Sequence, residues 1–186
     1  MAINAIFYFH GYNSTGNSRT STIIRDSYPN HDIISPAYNT KDAYLGVKEL
    51  TPILEDAIRN YDNVYLVGSS LGGFMANYFS NKYCLPVVLV NPCLDPVISL
   101  DKYPISDHIN LESYRNYYLE DGHGISKVVV LGREDEIIQY GTYMDRFLNR
   151  YKIFINDSMG HRVASKDDIV PAIDYLLRSI NGDSWV

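Results

Sequence analysis

Cysteine is scarce in this chain: 186 residues hold only Cys84 and Cys93. The two flank the apolar run 86–90, and a strand rising ~3.3 Å per residue would set them at its opposite ends. A disulfide needs Cα atoms within about 7 Å, so no bridge is expected, and two isolated thiols make no zinc site. Basic charge is short as well, with 16 Lys and Arg against 22 Asp and Glu and a net charge of −6. Nucleic acid demands a positive footprint that such a chain does not supply. No apolar stretch approaches the ~20 residues that span a bilayer, so no membrane span is expected. The run 3–9 lacks a basic flank and is too short for a signal peptide, so it reads as a first strand. A reducing, cytoplasmic setting is the expectation.

Hydrophobic residues make up 46% and charged residues 20%, a balance that excludes intrinsic disorder. A chain of this size buries about 70% of its unfolded surface, enough for one core without staples. A single domain over 1–186 is expected. Tyrosine is in excess, at 17 against 6 Phe and 1 Trp. Its apolar ring and polar hydroxyl suit surfaces that are half wet. Along the chain, apolar runs at 3–9, 32–35, 63–67, 86–90, 128–131 and 151–155 read as strands. Between and after them, 19–28, 41–61 (with Pro52 as a possible kink), 71–83, 140–149 and 167–180 read as helices. This alternation predicts an α/β fold: a compact, mostly parallel sheet of about six strands with helices on both faces. The segment 95–126 breaks the alternation and reads as a small lid-like insertion.

Chemistry enters at position 68. Val64-Tyr65-Leu66-Val67-Gly68-Ser69-Ser70-Leu71-Gly72-Gly73 is a strand that runs into G-x-S-x-G and then a helix. A serine at such a turn is held in a strained, exposed conformation. Glycines two before and two after it, Gly68 and Gly72, let strand and helix pass without a Cβ clash. Ser70 is the candidate nucleophile. The bare motif is only moderately specific, and its place between an apolar strand and an apolar-striped helix is what gives it weight. A Gly/Ser packing turn without chemistry is the plainer alternative.

A serine needs a base and an orienting acid. Of five histidines only His108, His123 and His161 follow Ser70. His161 sits in a small-residue loop between the strand at 151–155 and the last helix, where a base could reach the elbow. His108 and His123 lie in the insertion and read as surface or hydrogen-bonding residues. The loop after the strand at 128–131 offers Glu134, Asp135 and Glu136. Asp135, at the loop turn, is the preferred acid; Asp95, after the strand at 86–90, is the alternative, and Glu134 and Glu136 read as solvated. An oxyanion hole would combine the backbone N–H of Leu71 with that of Tyr12, where Gly11 allows close backbone approach and His10 organises the loop. Tyr103, Tyr114, Tyr117 and Tyr118 in the insertion could roof a modest acyl pocket together with Tyr12, or form a tyrosine-rich surface stretch. Arg133 and Arg162 flank the acid and base as surface charge or as a lure for an anionic substrate.

The strings FYFHGYNST, VYLVGSSLGG, PVVLVNP, GREDEIIQY and SMGH, in this order from about Ile6 to His161, resemble the YqiA/YcfP-like family of small α/β-hydrolases. The resemblance implies an α/β-hydrolase fold and an esterase or thioesterase acting on small-molecule acyl esters or thioesters. Ser70, Asp135 and His161 match the family's triad positions. No metal or organic cofactor is implied. The chain departs from the family at Tyr12, where phenylalanine is usual, and in the composition of the insertion. A non-catalytic binding protein of the same fold, and an acyltransferase using the same three residues, are the alternative functions.

Overall fold

The computed structural model describes residues 3–101, 103–104, 108–118, 124–139, 141, 147 and 150–181. Six strands, β1 (Asn4–Phe9), β2 (Asp32–Ile34), β3 (Asn63–Ser69), β4 (Val87–Val90), β5 (Lys127–Gly132) and β6 (Lys152–Asn156), form one sheet in the order β2-β1-β3-β4-β5-β6. Every pairing is parallel. The crossovers carry helices α1 (Arg19–Ser27), α2 (Ala43–Asn60) and α3 (Leu71–Tyr83). Two short helices, α4 (Pro96–Leu100) and α5 (Leu111–Arg115), follow β4, and α6 (Val170–Asn181) follows β6. The helix expected over 140–149 lies outside the described residues apart from Gly141 and Phe147.

Local chemistry accounts for the helix starts. The side chain of Ser18 accepts the N–H of Ser21 ahead of α1, and Asp42 accepts that of Leu45 ahead of α2. Pro52 is absorbed inside α2. The buried face of α2 is Ala43, Gly46, Val47, Leu50, Leu54 and Ala57. Leu45 and Ile53, which the spacing alone would turn inward, are 41% and 39% exposed. Steps of three and four from Ala43 define a narrower stripe than the sequence suggests.

Strand residues alternate between two cores, as the pleat requires. Phe7, Phe9, Val64, Leu66, Val87 and Leu89 face α2 and α3; Ile6, Tyr8, Tyr65, Val67, Val88 and Val90 face α1 and α6. Leu100, Ile109 and Tyr114, from the segment after β4, are buried in the α2/α3 core. The chain moves from β1 outward to β2 and then returns across β1 to β3, so the order reverses between β1 and β3. In open parallel sheets the crevice at the carboxyl ends of the strands at such a point is where ligands bind. The loop 10–12 and the turn at Ser70 leave the sheet on either side of it. Cys84 and Cys93 are both free thiols, as their spacing predicts. Among the described residues no helix is long and apolar enough to cross a membrane.

Candidate active site

Ser70 stands between the last residue of β3 and the first of α3, with φ 54° and ψ −124°. This region is costly for any residue but glycine, by ~1–3 kcal/mol, and persists only where surrounding contacts impose it. They do so here: the Ser70 N–H donates to Val90 O at 3.0 Å, and its carbonyl accepts the Cys93 N–H at 3.0 Å. Glycine is required on both sides of the turn. A Cβ on Gly68 would fall within contact of Gly72 O and 2.6 Å from Ala76 Cβ, and one on Gly72 would run into the carbonyls of Phe9 and His10. The strained turn is thus wedged directly against the end of β1.

His161 reaches Ser70 from the loop after β6. Its Nε2 lies 2.9 Å from Ser70 Oγ, and its Nδ1 lies 3.0 Å from each carboxylate oxygen of Asp135. Asp135 leaves the end of β5 in a tight turn. Its Oδ1 accepts the N–H groups of Ile137 and Ile138, both at 2.8 Å, and its side chain is completely buried. A buried carboxylate can only accept, so Nδ1 of His161 donates to it and Nε2 is left to accept the Ser70 hydroxyl proton. The three residues come from three different loops at one end of the sheet, 26 and 91 positions apart along the chain.

Other carboxylates settle into distinct places. Asp95 accepts the N–H of Ile98 and caps α4. Glu136, read from sequence as a solvated residue, accepts the backbone N–H of His161 at 3.1 Å. Arg133 pairs with Asp157 at 2.7 Å, with both side chains largely exposed. Among the described residues no group of three or more His, Cys, Asp or Glu side chains could hold a metal ion.

The loop after β1 abuts the serine. A Cβ on Gly11 would sit 3.2 Å from Ser70 Cβ and 3.8 Å from Oγ. Tyr12 is half-buried against the α2/α3 core. Among the described residues neither the Tyr12 N–H nor the Leu71 N–H donates to an acceptor. His10 is buried, with Nδ1 2.9 Å from Gly11 O and its ring 4.5 Å from Tyr38. Burial holds its imidazole below the ordinary range, and among the described residues Nε2 has no partner. The Tyr38 hydroxyl donates to His10 O at 2.6 Å, tying the loop to the core from beneath.

The tyrosines of the insertion divide. Tyr103 donates to Glu136 O at 3.0 Å, which docks the segment onto the loop after β5. Tyr114 is buried edge-on against Phe74, its hydroxyl donating to Thr40 O. Tyr117 packs edge-on against Tyr78, about 12 Å along α3 from Ser70. A cleft of about 210 Å³ opens between α3, α4 and α5, lined chiefly by Phe74, Leu94, Val97, Tyr114 and Tyr118. His108 is exposed, and His123, Ile105 and Tyr140 lie outside the described residues. Sequence reasoning missed the Glu136 bond and the buried Asn91, whose side chain accepts the Gly132 N–H and donates to Gly160 O and His161 O. The visible signal for Asn91 was the Asn91-Pro92 pair directly after an apolar run.

The model of the family described as "Uncharacterised protein family (UPF0227)" matches residues 5–177. The chain belongs to this family. It is the YcfP/YqiA-like family that its motifs resemble. Among solved structures, this UPF0227 chain is similar to alpha/beta hydrolase domain-containing protein 10 from mouse, with 16% identity and a TM-score of 0.76 over 97% of this chain and 90% of that one. It is likewise similar to Est1E from Butyrivibrio proteoclasticus, solved with ferulic acid bound, with 11% identity and a TM-score of 0.75 over 97% and 90%. The pyrethroid hydrolase PytH matches at 11% identity and a TM-score of 0.66 over the whole of both chains. At these identities the likeness is one of fold, and the fold is that of the α/β-hydrolases.

Proposed function

We propose that this UPF0227 protein is a serine hydrolase that cleaves acyl esters or thioesters through an acyl-enzyme on Ser70. The observation that carries the reading is the relay Asp135–His161–Ser70, at 3.0 and 2.9 Å, with the serine on a strained turn. That the solved structures of the same fold include a protein named as a pyrethroid hydrolase agrees with it.

In this mechanism His161 Nε2 takes the Ser70 hydroxyl proton as Oγ attacks the acyl carbon. Negative charge grows on the carbonyl oxygen. The Tyr12 and Leu71 N–H groups are the donors that would hold it, and the N-terminal end of α3 favours that charge. His161 then gives its proton to the leaving alcohol or thiol. Water repeats the sequence: His161 accepts its proton, the hydroxide oxygen attacks the acyl-serine, and Ser70 regains the proton as the acid departs. Asp135 stays ionised throughout and holds the imidazole in the tautomer that keeps Nε2 free. The 210 Å³ cleft begins one turn of α3 from Ser70 and suits the apolar part of a short substrate. It is smaller than the roughly 300–1,000 Å³ of common ligand pockets.

A fluorophosphonate probe tests the reading. Folded wild-type protein should take one adduct on Ser70, and Ser70→Ala should take none while losing ester hydrolysis by several orders of magnitude. Absence of an adduct on the wild type would leave a non-catalytic binding protein. An adduct without hydrolysis, but with acyl transfer to added alcohols or amines, would make it an acyltransferase.

A further inference from the structure

Asn91, the first residue after β4, is placed where three loops meet. It has φ 42°, a left-handed conformation that asparagine and glycine tolerate best. Its residue surface is 1% exposed. The side-chain oxygen accepts the N–H of Gly132, the last residue of β5, at 2.7 Å. The side-chain nitrogen donates to Gly160 O at 2.9 Å and His161 O at 3.3 Å. A backbone N–H can only donate and two carbonyls can only accept, so these partners leave a single orientation for the amide.

The neighbours of Asn91 in the chain hold the third loop. Val90 O accepts the Ser70 N–H and the Cys93 N–H donates to Ser70 O, each at 3.0 Å. The Asn91 N–H itself donates to Val130 O at 2.9 Å. One turn therefore grips the serine through its backbone, and the acid strand and base loop through one buried amide. Glu136 accepts the His161 N–H from the other side, so the His161 peptide is held at both its N–H and its carbonyl.

From this we infer that Asn91 is a positioning residue: its amide sets the separation of the β5 and β6 loops and so brings His161 Nε2 to the Ser70 hydroxyl. The inference rests on the reading of Ser70 as a nucleophile, but its geometric half does not. Asparagine meets both demands of the position, because it accepts the left-handed backbone and presents an acceptor and two donors at the right reach. An aspartate in its place would turn an oxygen onto two carbonyls. A glycine would keep the turn but leave the Gly132 N–H and the two carbonyls without the amide.

Asn91→Gly and Asn91→Asp provide the test, each studied by kcat and KM on p-nitrophenyl acetate, fluorophosphonate labelling, thermal melting and a crystal structure beside that of the wild type. Both should lower kcat and the labelling rate roughly 10- to 100-fold, the cost of a misplacement near 1 Å, with KM little changed. The crystal structures should show His161 displaced from Ser70 Oγ. Leu54→Val, which thins the core under α2 far from these loops, controls for lost stability; it should lower the melting temperature and leave kcat alone. A folded Asn91→Gly protein with wild-type kcat and an unmoved His161 would overturn the inference. Failure of the wild type to label would refute the reading of Ser70 instead, and the position of His161 in the variant crystals would still decide the role of Asn91.

Discussion

Asp135→Asn should abolish turnover while sparing the fold, and the reason lies in which oxygen is already committed. Oδ1 accepts two backbone N–H groups, from Ile137 and Ile138, both at 2.8 Å. Those donors cannot reverse, so the amide of the variant must leave its carbonyl oxygen there and turn its NH2 toward Nδ1 of His161. Oδ1 also lies 3.0 Å from Nδ1, but its two lone pairs are taken by those N–H groups, so Nδ1 is left to accept from the NH2, which moves the imidazole proton to Nε2. Nε2–H would face Ser70 Oγ as a donor, and a donor cannot take the serine's proton. Such a wrong-tautomer loss is on the order of 10⁴ in kcat, which corresponds to about 5 kcal/mol of barrier. Initial rates on a p-nitrophenyl ester, with thermal melting as the control for folding, measure it. Asp95→Ala is the comparison. It removes the α4 cap, costs about 1 kcal/mol of stability, and should leave kcat nearly unchanged. A folded Asp135→Asn protein within tenfold of wild type, or an Asp95→Ala protein that loses as much as Asp135→Asn, would refute the assignment.

Three further outcomes are expected. Gly72→Ala pushes a methyl into the carbonyls of Phe9 and His10. It should cost about 1–3 kcal/mol in denaturant melts and slow probe labelling, because the loop that abuts Ser70 must move. Acid should weaken the fold through His10 and His31, whose imidazoles burial holds below the ordinary value of about 6.5. As pH falls through that value the unfolded chain takes protons that the folded chain refuses, so stability is full above it, declines below it, and levels off under the folded-state values. Proton NMR titration should place both midpoints under 6.5, and His31→Phe, which keeps a ring between Tyr28 and Tyr65, should flatten the decline. Acyl chain length gives the third. Rates on p-nitrophenyl esters should peak at short chains and fall for long ones if the cleft beside Phe74 takes the acyl group. Leu94→Trp, which narrows it, should move the peak to shorter chains, and an unchanged profile would put the acyl group elsewhere.

The order of the strands was legible because each apolar run is short and bounded by turn residues, and α1, α2, α3 and α6 because each is a helical stripe after such a run; the two short helices after β4 carry no such stripe. The elbow was legible because the need for glycine at 68 and 72 is local: it arises where one strand passes directly into one helix. Periodicity was less reliable for α2, where Leu45 and Ile53 share the outer surface and only packing against β1 and β3 fixes which face turns inward.

The sequence by itself determined a parallel α/β sheet, a serine on a strand-to-helix turn, and a short set of acids and histidines on later loops. It preferred Asp135 as the acid, kept Asp95 as the alternative and read Glu136 as solvated, on loop position alone, although all three follow strands that end at the same edge. Tertiary structure gave each its place: Asp95 caps α4, Glu136 holds the His161 peptide, and Asp135 faces the imidazole. It alone gave Asn91 its partners and divided the tyrosines between core, acid loop and cleft. The physical reason is distance along the chain. The contact of Ser70 with His161 spans 91 positions, and the path between them is set by the register of β3, β4, β5 and β6, which no local pattern contains.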